Sequence, residues 1–154
     1  MLDQPTPPAS VNLCRQSDAL KAMEAARLRI GITPGEMCRQ ARLSLNSVYV
    51  WNQCRRDPRL SKFIGLAAVL GYDVVLRGSD GLETDLRDLP AAIYRIDGVR
   101  KARGVSLGDM EGRSGISLSS FYSWRSDKRD PTLANIVALA ETFGFSVVMR
   151  ERLQ

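Results

Sequence analysis

The sequence predicts a mainly α-helical fold built as two tandem four-helix units, each followed by a short β-strand. Three observations carry this. Residues 31–77 align with residues 104–150 at a constant offset of 73 without a gap, and 18 of those 47 pairs are identical. Unrelated sequences would match at roughly 3 such positions. Leu60, Phe63, Ile64, Ala67 and Leu70 form an i, i+3, i+4, i+7 stripe, repeated by Leu133, Ile136, Val137, Ala140 and Phe143, as expected of a helix with one buried face. Gly71 and Gly144 then end these helices, and β-prone runs follow at 72–77 and 145–150.

Residues 1–16 contain Pro5, Pro7 and Pro8 and no apolar period, so a disordered arm is expected. The first unit spans 17–77. Its first helix starts near Ser17-Asp18, turns Leu20, Met23, Ala26 and Ile30 inward, and ends at Gly31. Thr33-Pro34-Gly35-Glu36 opens the second helix with a cap, a proline at the first helical position and an acid three residues on. Ser106-Leu107-Gly108-Asp109 repeats that logic, and Met37 and Met110 point inward. The following turns are Ala41-Arg42-Leu43 and Ser114-Gly115-Ile116. Glycine enters the left-handed region freely whereas arginine does so at a cost, so slightly different turns are expected.

Ser44 and Ser117 are N-cap candidates for the third helix. That helix buries Val48 and Trp51, or Phe121 and Trp124, on one face. It leaves the short polar side chains of Asn46, Ser47, Ser119, Ser120 and Ser123 beside that face and exits through Arg55-Arg56 or Lys128-Arg129. A buried anchor behind, small polar groups in front and cations at the end suit a DNA major groove. Asp57-Pro58 and Asp130-Pro131 stop this helix and reset the chain. Residues 78–88 are polar, glycine-bearing and acidic, hence a linker. The second unit spans 89–154; its first helix enters at about Pro90 with Ile93, Ile96 and Val99 inward.

Composition narrows the function. Histidine is absent and the acidic residues do not cluster, leaving no seat for metal chemistry and no usual general base; no cofactor and no enzymatic activity are expected. Cys14, Cys38 and Cys54 lack metal-ligand or redox spacing and read as reduced thiols. With no membrane-length apolar run and no secretory signal, a cytoplasmic protein without membrane contact is expected. The formal net charge is +5. Residues 19–77 carry ten Lys/Arg against four Asp/Glu, residues 78–88 one against four, and residues 89–154 ten against seven. Two basic modules thus flank an acidic joint, a pattern often met in nucleic-acid binders.

The motifs go further. Arg27-x-x-x-Gly31-x-Thr33, Met37, Leu43-Ser44, Trp51, Arg56-x-Pro58-x-Leu60 and Leu66-Ala67-x-x-x-Gly71 resemble the Cro/C1-type (XRE-like) helix-turn-helix family. Arg100-x-x-x-Gly104-x-Ser106, Met110, Gly115-Ile116-Ser117, Trp124, Arg129-x-Pro131-x-Leu133 and Leu139-Ala140-x-x-x-Gly144 repeat the pattern. The resemblance implies two tandem four-helix helix-turn-helix domains. Each closing strand resembles that of HipB-type antitoxins, where strands of two subunits pair. Three departures stand out: Pro34 and Leu107 replace the family's early glutamine, Cys38 and Glu111 differ at its small position, and Asn52 and Arg125 replace an acid that usually pairs with Arg27 or Arg100.

Carried over position by position, the resemblance implies base readers at Leu45, Asn46, Ser47 and Val50, and at Leu118, Ser119, Ser120 and Ser123. Asn46 stands out because an amide pairs bidentately with adenine. Phosphate contacts are implied at Arg42, Arg55, Arg56, Arg125, Lys128 and Arg129. Trp51 and Trp124 are core anchors, while Tyr49 and Tyr122 suit either core or phosphate. The function implied is a sequence-specific regulator of transcription that binds double-stranded DNA through two non-identical recognition helices in one chain. Two alternatives stay open: an antitoxin-like regulator that also binds a partner protein, and a protein–protein adaptor with one degenerate helix-turn-helix. The partners expected are duplex DNA, transcription machinery or a partner protein, and a second copy through strands 72–77 and 145–150. Pairing of those strands within one chain is favoured over the homodimer, because the second strand is always at high effective concentration.

Overall fold

The computed structural model describes residues 10–13, 16–52 and 57–152. In chain order the elements are β1 (Ser10–Asn12), α1 (Gln16–Ile30), α2 (Pro34–Ala41), α3 (Leu45–Asn52), α4 (Leu60–Val69), β2 (Tyr72–Arg77), β3 (Glu83–Asp85), α5 (Leu89–Ala102), α6 (Leu107–Ser114), α7 (Leu118–Arg125), α8 (Leu133–Thr142) and β4 (Ser146–Glu151). The protein is mainly helical, with one small antiparallel sheet. No described helix is long and apolar enough to cross a membrane.

Capping chemistry sets the helix starts. The Glu36 N–H donates to Thr33 Oγ1 at 3.1 Å and the Asp109 N–H to Ser106 Oγ at 3.0 Å. The Ser47 N–H donates to Ser44 Oγ and the Ser120 N–H to Ser117 Oγ, both at 3.1 Å. Each bond satisfies one backbone donor that the first helical turn leaves orphaned. Beyond α2, Arg42 does enter the left-handed region (φ 57, ψ 42), as Gly115 does beyond α6 (φ 73, ψ 8). The turns still differ in bonding: the Leu43 N–H reaches Cys38 O, whereas the Ile116 N–H takes Ser114 Oγ.

The sheet runs β1-β4-β2-β3. Its centre is the expected intramolecular pair, β2 against β4, in register from Tyr72↔Glu151 to Arg77↔Ser146. Within that register Val75 faces Val148, its own equivalent in the repeat. An isolated bridge joins a second pair of equivalents, Arg59 and Thr132. Equivalent residues meet only on a twofold axis, so these two contacts mark the ends of a pseudo-dyad relating the two halves of the chain.

The outer strands correct two expectations. Ser10–Asn12, expected in a disordered arm, pair with β4, and Glu83–Asp85, expected in the linker, pair with β2. β1 and β3 are themselves equivalent at the repeat offset, and the Leu13 N–H donates to Val147 O as the Leu86 N–H does to Val74 O. Each repeat therefore starts with a strand that pairs on the other repeat's closing strand. The physical reason is that the open flanks of β2 and β4 would leave backbone donors and acceptors unpaired. Both flanks of β2 and of β4 are thus occupied within the chain.

The two sets of helices do not build separate cores. One hydrophobic cluster takes in Phe63, Leu66, Tyr72 and Leu76 from the first repeat and Ile93, Phe121, Ile136 and Met149 from the second. The stripes of α4 and α8 are buried as expected, and Ile93 and Ile96 with them, but Ile30 is exposed at the end of α1. Across the dyad the Leu60 N–H donates to Pro131 O and the Leu133 N–H to Pro58 O, both at 2.9 Å. The Ala134 N–H donates to the Asp57 carboxylate, and the Ser61 N–H and hydroxyl donate to that of Asp130. The two Asp-Pro motifs thus cap the opposite repeat's helix. The outer face of the sheet carries Val75 and Val148 beneath an ion network in which Arg77 and Arg150 share Glu83, and Arg87, Arg150 and Arg152 share Asp73. Burial pushes the Glu83 carboxyl up, but the hydrogen bonds from Arg150 and Arg77 outweigh it and leave its pKa below the ordinary value.

Candidate nucleic-acid interface

α3 and α7 each anchor on a buried tryptophan, Trp51 and Trp124, backed in α7 by Phe121, which is fully buried. The anchors turn the opposite side of each helix outward. On α3, Leu45 is 56% exposed and Tyr49 57%, with Asn46 exposed between them. Val50 and Ser47 lie half-buried at the margin. On α7, Ser119 and Tyr122 are exposed, while Leu118, Ser120 and Ser123 are half-buried. The eight sequence-predicted readers are therefore not equivalent. Ser47 and Ser120 bond the cap hydroxyls of Ser44 and Ser117, and the Ser123 hydroxyl donates to Ser119 O. Leu118 and Val50 pack on the core. Leu45, Asn46 and Ser119 stand clear.

The cations also divide. Arg42, Lys128 and Arg129 are exposed and form no ion pair with a described residue. Arg125 is different: it lies 3.7 Å from the Asp97 carboxylate and its guanidinium sits over the Tyr122 ring at 5.4 Å. Arg55 and Arg56 lie outside the described residues.

Arg27 and Arg100 have a structural job. Arg27 donates to Ile32 O at 2.7 Å and Arg100 to Val105 O at 2.8 Å, tying α1 and α5 to the segments that lead into α2 and α6. Their acid comes from three residues back in the same helix, Glu24 for Arg27 and Asp97 for Arg100. Hydrogen bonds from Arg27 hold the Glu24 carboxyl below its ordinary pKa against the opposing effect of burial. Asp97, 4% exposed, gathers Arg100, Lys101 and Arg125. The i−3 spacing of these acids is visible in the sequence once the arginine is known to point back along its helix.

Two clefts flank the Arg59–Thr132 end of the dyad. One, about 630 Å3, is lined by Arg42, Ser44, Ser47, Trp51, Arg59 and Lys62, among others. The other, about 470 Å3, is lined by Arg59, Ser120, Trp124, Arg129, Thr132 and Asn135, among others. Each runs from a capped helix start to the dyad, and their linings are related by the repeat. They add two cations that sequence reasoning missed, Arg59 and Lys62, because both belong to the start of the core helix α4. The Arg59 guanidinium donates to Asp130 O at 2.9 Å, and neither residue forms an ion pair with a described acid. The signal available was asymmetry, since the equivalents are the neutral Thr132 and Asn135.

No protein-family model, curated protein or solved structure matches this chain.

Proposed function

We propose that this chain is a sequence-specific regulator that binds duplex DNA, each set of four helices acting as a helix-turn-helix unit of the Cro/C1 type. The observation that carries the reading is the pseudo-dyad. It relates α3 to α7, each with a capped start and a solvent-facing side, as a twofold relates the recognition helices of a dimeric repressor. Duplex DNA has its own local twofold axes, and successive major-groove faces recur about 34–36 Å apart. The basic clefts between each helix and the dyad suit the intervening phosphates.

In this reading Asn46 and Ser119 are the direct readers, with Leu45 against a thymine methyl. Arg42, Arg59, Lys62, Lys128 and Arg129 hold phosphates, with Arg55 and Arg56 as further candidates. Because the reading faces differ, the preferred target is a pair of unlike half-sites. The test is anisotropy of labelled duplexes selected from a random pool, repeated over a salt series. Five to seven phosphate contacts predict a slope of log affinity against log salt of about −4.5 to −6. Asn46→Ala costs about 1–3 kcal/mol at particular A·T pairs only. Salt-insensitive binding, or a sequence preference indifferent to Asn46→Ala, overturns the reading.

A further inference from the structure

A cavity of about 560 Å3 opens where the two repeats and their joint meet. Its floor is apolar: Leu60, Ile64 and Ala68 of α4, with Leu86 and Leu89 from the joint into α5. Its mouth is the loop after α7, where Lys128 and Arg129 stand beside Asp127 and Asp130, and Arg87 closes the far side. The two acids are not equal to the cations. Asp130 is already committed to the Ser61 N–H and hydroxyl. Arg87 is likewise tied to Asp73 and Asp85. That leaves Lys128 and Arg129 against Asp127.

The dyad-related cavity provides an internal comparison. There Leu13 stands for Leu86, Ala138 for Gly65 and Glu141 for Ala68. At two positions of α4 the open cavity thus carries the smaller apolar residue, Gly65 and Ala68 against Ala138 and Glu141 of α8. The volume of the open one falls in the range of small-molecule sites, which bury an apolar body and fix it with a few polar groups. Its mouth also holds Asp127 in the left-handed region (φ 59), a conformation that disfavours a residue with a Cβ.

We propose that this cavity binds an amphipathic organic anion, apolar body on the α4 floor and anionic end on Lys128 and Arg129. The loop hangs directly from α7: the Asp127 N–H donates to Trp124 O and the Lys128 N–H to Ser123 O. An anion there takes the two cations assigned above to phosphate, so ligand and DNA exclude each other. That second half rests on the proposed DNA-binding function; the site itself does not.

The experiment uses the full chain and anilinonaphthalene sulfonate as the probe, with neutral phenylnaphthylamine as control. One saturable site per chain is expected. Ala68→Glu, which imports the twin's residue at that position, weakens it about tenfold or more without shifting the melting temperature. Lys128→Ala with Arg129→Ala, on an exposed loop, weakens the anion several-fold (about 3–10) and leaves the neutral probe unchanged. No saturable binding, or binding blind to both sets of substitutions, overturns the site. A second arm adds the probe to chain bound to a labelled duplex. Release of DNA supports the coupling; duplex affinity unchanged at probe saturation overturns the coupling alone. A chain that binds the probe but no duplex sinks the DNA reading and leaves the site standing.

Discussion

Replacing Asp130 with alanine tests the exchange of caps across the dyad. α4 has Arg59 at its N-cap position and no side-chain cap of its own. Asp130 supplies two bonds there, from the Ser61 N–H and hydroxyl. α8, in contrast, keeps its own cap, the Asn135 N–H donating to Thr132 Oγ1, and Asp57 adds one bond from the Ala134 N–H at 2.6 Å. Loss of an N-cap costs about 0.5–2 kcal/mol, and hydrogen bonds to a charged partner stand at the upper end. Asp130→Ala should therefore cost about 1.5–2 kcal/mol and Asp57→Ala about 1 kcal/mol. For a chain of this length that is a fall of roughly 2–8 °C in melting temperature. Urea denaturation followed by circular dichroism measures both. Because the core is one cluster, a single transition is expected in all variants. Equal losses, or a larger loss from Asp57→Ala, would refute the cap assignment; two separated transitions would refute the shared core.

Arg42→Gly relieves a left-handed residue and should raise stability by about 0.5–1 kcal/mol and, on the proposed reading, weaken duplex binding; a destabilised variant contradicts the turn geometry. Acid should loosen the fold: hydrogen bonds from Arg39 and Gln40 lower the Glu36 pKa to about 2, and Glu24 and Glu83 are also lowered. A depressed folded pKa contributes stability that is present above the unfolded value, near 4.5, and lost as pH falls toward the folded one. The urea midpoint should thus fall between pH 4.5 and 2, less so in Glu24→Gln and Glu83→Gln variants.

The repeat, its helix caps and its buried stripes were legible because each is written in residues close together in the chain. Ser44 and Thr33 act within three residues of themselves. The outer strands were not legible. A three-residue strand has no local signature; its stability comes from the edge it covers. The offset did carry a trace, since Leu13 and Leu86 are equivalent, identical and both buried. Likewise Asp57 and Asp130 read locally as helix stops, while their partners lie 77 and 69 residues away. Of the eight readers implied on α3 and α7, Leu45, Asn46 and Ser119 lie outward and the other five are half-buried. Sequence reasoning missed Arg59 and Lys62, because a residue's place beside a dyad is a property of tertiary structure alone.

A homodimer of identical chains must carry every change twice. A chain that closes its dyad internally escapes this, except where the halves touch. Some of the identities between repeats lie at those contacts. Leu13 and Leu86, Asp57 and Asp130, Pro58 and Pro131, and Val75 and Val148 are identical pairs that hold the halves together across the dyad. Other pairs diverge, on the outward helix faces (Asn46 against Ser119, Val50 against Ser123) and beside the dyad (Arg59 against Thr132, Lys62 against Asn135). The two reading faces therefore differ within one chain. On the proposed reading, unlike half-sites seat the chain in one orientation, so a bound complex has a polarity that a symmetric dimer on a palindrome lacks. The open cavity then faces one defined side of the site.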